Sequence, residues 1–343
     1  MTDTYPDLTR SLTTPMAPPS PMLRAKRLLV ETPLIQVIIL AVLIIVLVSL
    51  VPAFLERPIA AVSVLTLATL LALAAMGQTL VVIIGGLDLA IPGYITFGAM
   101  IAGNATSRLG WPAWLAFLVV IAVCGGIGAL VGWFCNRFRT EPLVMTLGVG
   151  VALTGGAMFL ADGDYSGQPP QELRALAQLS GTTFGIPIPP VVFIVLILGI
   201  LLWLFLSRTP AGRKIYATGV NPRAAGLTRV RTPLIWTSVF AISGVFAGIA
   251  GIFLTAFGSG WSASIGDPYL FSGLAAVFVG GTTFGSIRGG FTRTALGALI
   301  LTVLSTIIMS QGLNEAQTRI VYGAIILGMV AIYGRERRVR DRF

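Results

Sequence analysis

The sequence predicts an all-α polytopic membrane protein with about ten transmembrane helices, and three observations predict it. Of 343 residues, 55% are hydrophobic and 10% charged, against roughly 25% charged in an ordinary soluble domain. Apolar runs close to the ~20 residues that a bilayer requires recur along the chain. The basic residues are also sorted. With the N-terminus inside, 19 of the 23 Lys and Arg fall in one set of connections, and only Arg57, Arg108, Arg174 and Arg319 fall in the other. Lys and Arg accumulate in cytoplasmic segments, so both termini are placed in the cytoplasm.

Residues 1–33 are polar and Pro-rich and read as a disordered cytoplasmic tail rather than a cleaved signal. One membrane domain, 34–334, follows. Its candidate spans are 34–54, 58–84, 91–107, 112–135, 142–160, 189–207, 233–257, 269–287, 291–311 and 318–334. A basic cytoplasmic tail, 335–343, closes the chain. Cys124 and Cys135 share a predicted helix and lie roughly 16 Å apart along it. That is too far for a disulfide, and they read as packing residues. The chain has no His, no HExxH, no Cys/His cluster and no GxxxxGK[ST] loop, so no metal site, enzyme activity or nucleotide site is predicted. The net charge of +10 does not indicate nucleic acid, because the basic residues lie beside spans.

Two stretches interrupt the helical pattern. In 76–93, Gly77, Gly85, Gly86, Pro92 and Gly93 weaken regular helix, and 280–290 is a second Gly-rich break. Broken or re-entrant segments are therefore expected near 77–93 and 280–290, as tolerated where backbone lines a cavity or is buried in protein. Paired interruptions in two halves point to a transport site between internal repeats, although the halves share little beyond a Gly-Gly. Gln78, Thr79, Gly85, Gly86, Asp88, Gly280, Gly281, Thr282 and Thr283 are the candidates for the pathway or its support. Asp88 is either a functional intramembrane carboxylate, or a span-end residue in water, or a cap of the helix beginning near Ile91. The threonines either face the pathway or bond their own helix backbone. Asp267, before Pro268, reads as a helix-start residue. The longest external connection, 161–188, is either a plain connector or part of a surface for an outside partner.

Between the two breaks lies a polar island, 208–233, with six basic residues and no acid. Asn221 and Pro222 read as the N-cap and first residue of a short surface helix. The island is either a topogenic loop or a docking element for a cytoplasmic partner. A route of Gly, Thr, Ser and Gln, in a chain with no nucleotide site, suggests a polar uncharged solute and an external energy source. A self-contained channel or facilitator is the alternative.

Four motifs carry a resemblance. Ala75–Val81 followed by Gly85–Leu89 is similar to G-M-T-L-V-I-x-x-G-G-I-D-L-S-V-G, and Pro142–Leu147 to P-x-F-I-x-T-L. Gly212, Ala217, Gly219, Asn221, Ala224 and Ala225 fit G…A-x-G-x-N-x-x-A-A, and Ala275–Thr282 is similar to A-A-V-V-I-G-G-T. Over residues 58–334 the chain resembles the permease subunits of ATP-binding-cassette importers of the ribose, xylose, arabinose and galactose class. It departs from that pattern at Gln78, where Met is usual, and at Thr228-Arg229-Val230, where S-G-I is common. The resemblance implies a multi-pass protein of the bacterial inner membrane that carries a monosaccharide or related polyol. It implies no cofactor in this chain, with ATP and Mg on cytoplasmic ATP-binding subunits. An extracytoplasmic solute-binding protein and a second permease subunit are the other implied partners. It also implies a coupling element that includes Arg213, Tyr216, Ala217, Gly219, Asn221, Ala224, Ala225 and Gly226.

Overall fold

The structure, a computed structural model, describes residues 33–285 and 289–340. The expected tail 1–33, Pro33 excepted, lies outside the described residues, as do 286–288 and 341–343. The chain divides into two units, Met1–Ile35 and Gln36–Phe343. In the first, only Pro33–Ile35 are described, where helix α1 (Leu34–Leu50) opens. The second unit contains, in order, α2 (Pro58–Ile83), α3 (Ile91–Met100), α4 (Ala113–Phe138), α5 (Pro142–Ala161), α6 (Gln171–Ala177), α7 (Pro190–Arg208), α8 (Pro210–Val220), α9 (Pro222–Leu227), α10 (Thr232–Gly258), α11 (Pro268–Val279), α12 (Phe291–Ser310) and α13 (Glu315–Arg340).

Six of these, α2, α4, α5, α7, α10 and α12, are long and apolar enough to cross a membrane, while α1 and α11 are apolar but shorter. Among the described residues, six of the roughly ten expected transmembrane helices are full-length by length and composition, and the shortness of two others has a physical cause. α3 and α11 start in the interior, so each traverses only part of the depth. The predicted span 269–287 stops at Val279 because Gly280 and Gly281 turn the chain there. α13 runs through 335–340, a stretch expected only as tail. The connection 161–188 is not plain loop, since it contains α6 and an isolated bridge between Thr183 and Ile186.

Both helix stops have the same hydrogen bonding. At the end of α2, Gly85 N donates to Val82 O (3.0 Å) and Gly86 N to Val81 O (2.9 Å), with Gly85 at φ +88°. At the end of α11, Gly281 N donates to Phe278 O (2.8 Å) and Thr282 N to Val277 O (3.1 Å), with Gly281 also at φ +88°. This paired closure satisfies carbonyls that a helix end leaves orphaned, and its left-handed residue favours glycine.

After the first stop the chain turns back into the protein. Gly86 lies under the Trp236 and Phe240 rings, and Ser243 touches both Asp88 and Gly77. α3 then begins with Gly93 against Gly150 of α5, roughly 12 Å along that helix from Pro142. The second half mirrors this from the opposite end. After α10, Trp261 lies beside Gly103, Ala263 O accepts from Thr96 Oγ1 (3.4 Å), and Gly266 meets the Pro92 carbonyl. The segment 261–266 thus descends along α3 by roughly 16 Å before α11 begins. Each half is therefore a long helix, a non-helical re-entrant segment (irregular at 86–90, a run of turns at 263–267) and a partial helix, running in opposite senses. The neighbours follow the same pattern: α10 packs on α4 and α3, and α2 on α12 and α11. Such inverted repeats were barely legible in the sequence.

Small residues allow these helices to approach closely. Gly128 and Gly132 of α4 face the backbone of α10 at Phe240 and Trp236, and Gly244 of α10 faces Cys124. Both cysteines are free and buried, as expected. At Gly98 an added Cβ would meet the Gly248 carbonyl, whereas at Gly126 it would meet nothing within 4 Å. Gly98→Val is therefore expected to destabilise the protein by at least about 1–3 kcal/mol, and Gly126→Val to leave it unchanged. Thermal unfolding in detergent, followed by monodisperse elution, measures both; equal stability of the two variants would show that α3 and α10 are not in backbone contact.

Candidate functional site

The polar island is built by two capped helices rather than the single one expected. Thr209 accepts from Gly212 N (3.1 Å) and starts α8 at Pro210; Asn221 Oδ1 accepts from Arg223 N (3.1 Å) and Ala224 N (3.0 Å) and starts α9 at Pro222. The N-cap assignment of Asn221 holds. The Thr-Pro pair at 209–210 was an equivalent signal for α8 that sequence reasoning missed. Past α9, Arg229 takes φ +63°, the left-handed conformation that glycine adopts freely.

One face of α8 is pressed on the first helix stop. Gly219 lies on the carbonyl of Ile83, with no room for a side chain. Tyr216 donates its hydroxyl to Gly289 O (2.6 Å), in the second break. The two breaks also touch each other, Gly285 N donating to Val82 O (3.3 Å), and the second is closed on itself by Gly290 N donating to Thr282 Oγ1 (3.3 Å). Gly280 O accepts from Gln36 Nε2 (3.1 Å). The opposite face is open. Arg213, Ala217, Ala224 and Gly226 are exposed, and Ala225 is buried beneath them. Leu227, which sequence reasoning had not singled out, is 88% exposed at the end of α9.

The pathway candidates do not share one surface. Asp88 is 1% exposed, which overturns the solvated span end. Its Oδ1 accepts from Ala90 N (3.0 Å) at the start of α3, and its Oδ2 from Ser243 Oγ of α10 (2.7 Å). Thr79 bonds its own helix at Ala75 O (2.8 Å) and also Thr294 of α12 (2.8 Å). Gln78 is buried beside it, and its Oε1 has no hydrogen-bond partner among the described residues. Thr283 is half-buried and makes no side-chain hydrogen bond among the described residues. Asp267 stands at the start of α11, as expected of a helix-start residue; its side chain makes no cap bond, and the turn is closed by backbone, Tyr269 N to Gly266 O (3.0 Å). Thr146, in the second motif, accepts from Leu89 N (3.0 Å) and so holds the re-entrant strand. Ser243 and Thr294 carried no sequence signal, because their partners are distant in the chain.

At the opposite end, α3 runs on through a π-helical turn, Ile101–Ala105, to Arg108. Asn104 in that turn donates Nδ2 to Asp164 O (2.7 Å) and accepts from Trp261 Nε1 (2.8 Å). Arg108 approaches Asp164 (3.4 Å). Hydrogen bonds from Ser166 hold the Asp164 carboxyl below the usual range, and Arg108 adds a smaller pull. An amide inside an apolar run was the available signal for Asn104. Among the described residues no cluster of ligating side chains could hold a metal.

A hydrogen bond that a buried carboxylate accepts contributes about 1.5–3 kcal/mol. In a double-mutant cycle of Asp88→Ala and Ser243→Ala, read by SDS unfolding, the two losses are expected to couple by that amount, and strict additivity would sink the pairing. Arg229→Gly is expected to raise stability by roughly 1 kcal/mol; a lower melting temperature would show that the arginine side chain outweighs its backbone strain.

Comparison with known proteins gives a consistent pattern. Residues 60–330 match the family model described as "Branched-chain amino acid transport system / permease component". The chain is 29% identical over 264 residues to a fructose import permease of Rhizobium meliloti, covering 74% of this chain and 72% of that one. It is 27% identical over 289 residues to a ribose import permease of Bacillus subtilis, covering 84% and 88%. A D-allose transport system permease of Escherichia coli is 26% identical over 259 residues, covering 75% and 76%. No solved structure matches the chain.

Proposed function

Because this chain belongs to the branched-chain amino acid transport system / permease component family, we propose that it is the membrane-spanning subunit of an ATP-driven importer for a monosaccharide or related polyol. As a multi-pass permease it is a transport component and not an enzyme. The sugar assignment draws on the relatives, whose names specify fructose, ribose and allose. The protein resides in the bacterial plasma membrane with both termini in the cytoplasm, and it pairs with a second permease subunit. ATP and Mg are bound by separate cytoplasmic subunits, and an extracytoplasmic binding protein delivers the solute.

One observation carries this reading: α8 rests on both helix breaks at once, through Gly219 on Ile83 and Tyr216 on Gly289. A push on the exposed face of α8 and α9 therefore reaches the two stops directly. The stops anchor the re-entrant segment in one half and end the partial helix in the other. Displacing them together biases the two halves between opposite openings, which is how a rigid inverted-repeat transporter alternates access. Leu227 and Ala224 offer the partner a small apolar contact, and Arg213 and Arg223 flank it with charge. Asp88 serves as structural support, fixing the start of α3 to α10. Thr79, Thr282, Gly280 and Gly281 belong to the moving junction, and Gln78 supplies a side-chain carbonyl that has no partner among the described residues.

Ala224→Glu places charge and bulk on this contact without touching the core. It is expected to lower ATP-dependent uptake roughly tenfold or more while leaving membrane abundance unchanged. Uptake equal to that of the unmodified protein would remove the docking role. Downhill flux through the purified chain alone in liposomes would instead favour a self-contained facilitator.

A further inference from the structure

At the end remote from the island, the loop after α5 and the loop after α10 face each other across an open cleft of about 550 Å³. That volume falls within the roughly 300–1,000 Å³ of small-ligand sites. Its side-chain chemistry is specific. Tyr165, Ser166, Gln168, Ser259, Trp261 and Ser262 line it, with glycine and Ile265 as the remainder, and no Asp, Glu, Lys or Arg is present. Asp164, next to Tyr165 in the chain, is occupied by Ser166 and Arg108.

The walls are fixed before any ligand arrives. Asn104 holds both at once, bonding the Asp164 carbonyl on one side and the Trp261 indole on the other. A π-helical turn gives Asn104 this aim, and such turns recur at functional sites. Gly167 packs directly on Asn104, leaving no space for a side chain. Trp261 is buried and braces the edge of Tyr165 at 5.0 Å between ring centroids. Gln178 pins Ser259 (2.7 Å). What remains uncommitted is the Tyr165 hydroxyl and the Gln168 amide, neither of which has a partner among the described residues; the half-buried Tyr165 ring packs on Trp261 on one side, and Ser262 meets only Ser264, at 3.5 Å.

We propose that this cleft is a subsite for a single neutral sugar ring. The apolar face of the ring lies on Tyr165, and its hydroxyls pair with Gln168 and Ser262. An aromatic face with free amide and hydroxyl groups matches a polyhydroxylated ring, which has an apolar side and several donors and acceptors. It does not match a free amino acid, whose ammonium and carboxylate need charged partners when they leave water. The cleft thus separates the sugars named for the relatives from the amino acids named for the family. The inference rests on the importer reading for its position at the entrance of the route.

The test uses the purified full chain in lipid nanodiscs, with D-ribose, D-fructose and D-allose as probes and L-leucine as the contrast. Saturation-transfer NMR is expected to show saturable contact with at least one sugar and none with leucine. Gln168→Ala and Tyr165→Ala are each expected to weaken that contact about tenfold. Gln168 is exposed, so its variant keeps the measurement decisive if Tyr165→Ala does not fold. Absence of any saturable sugar signal, unchanged affinity in Gln168→Ala, or equal binding of leucine overturns the subsite. Uptake by the complete reconstituted importer separates the two readings. Sugar uptake unaffected by both variants removes the subsite and leaves the importer. Binding by the chain without sugar uptake by the wild-type assembly removes the importer and leaves the subsite.

Discussion

A helix that stops leaves its last carbonyls without intrahelical partners. The arrangement of this protein depends on how two such stops are closed. At Gly85 and at Gly281 the chain turns through the left-handed region and returns two amide hydrogens to the last helical turn. The first stop is also covered by other parts of the chain: Val82 O accepts a second hydrogen bond, from Gly285 N, and α8 lies over Ile83. Because the covering groups come from the island and from the other half, closing the stops also ties three parts of the chain into one junction.

The same constraint explains the buried carboxylate. The re-entrant strand 86–90 has no helical partner for its amides, so it borrows side chains. Asp88 accepts from Ala90, Thr146 accepts from Leu89, and Ser243 fixes Asp88 to α10. Asp88 is therefore part of the frame that lets α3 begin at depth. The segment 261–266 solves the equivalent problem from the other side with small residues and the Asn104 clamp. The two half-structures face opposite ends, so the helix stops and α8 meet at one and the cleft braced by Asn104 lies at the other.

Much of this was legible where the physics is local. Asn221 before Pro222 announced α9, because a cap and its helix are neighbours in sequence. The Gly-Gly pairs announced the stops for the same reason. Arg229 stood out as a departure from a glycine, and its φ of +63° shows what that glycine is for. Legibility failed where partners are far apart: Ser243 is 155 residues from Asp88, and Thr294 is 215 from Thr79. Gln78 and Thr79 were grouped by adjacency, yet successive helical residues point about 100° apart. The cleft was missed because its two loops are each unremarkable, and only Asn104 joins them. A solvated reading of Asp88 failed because hydropathy cannot show that a chain doubles back.

The uncharged lining of the cleft has an electrical consequence. On the proposed reading the cargo is neutral and carries no charge across the membrane. The membrane potential, which would supply about 2.3 kcal/mol per elementary charge at 100 mV, then neither drives nor opposes its entry. A cell that depolarises loses the force behind its ion-coupled carriers but not behind a route of this kind.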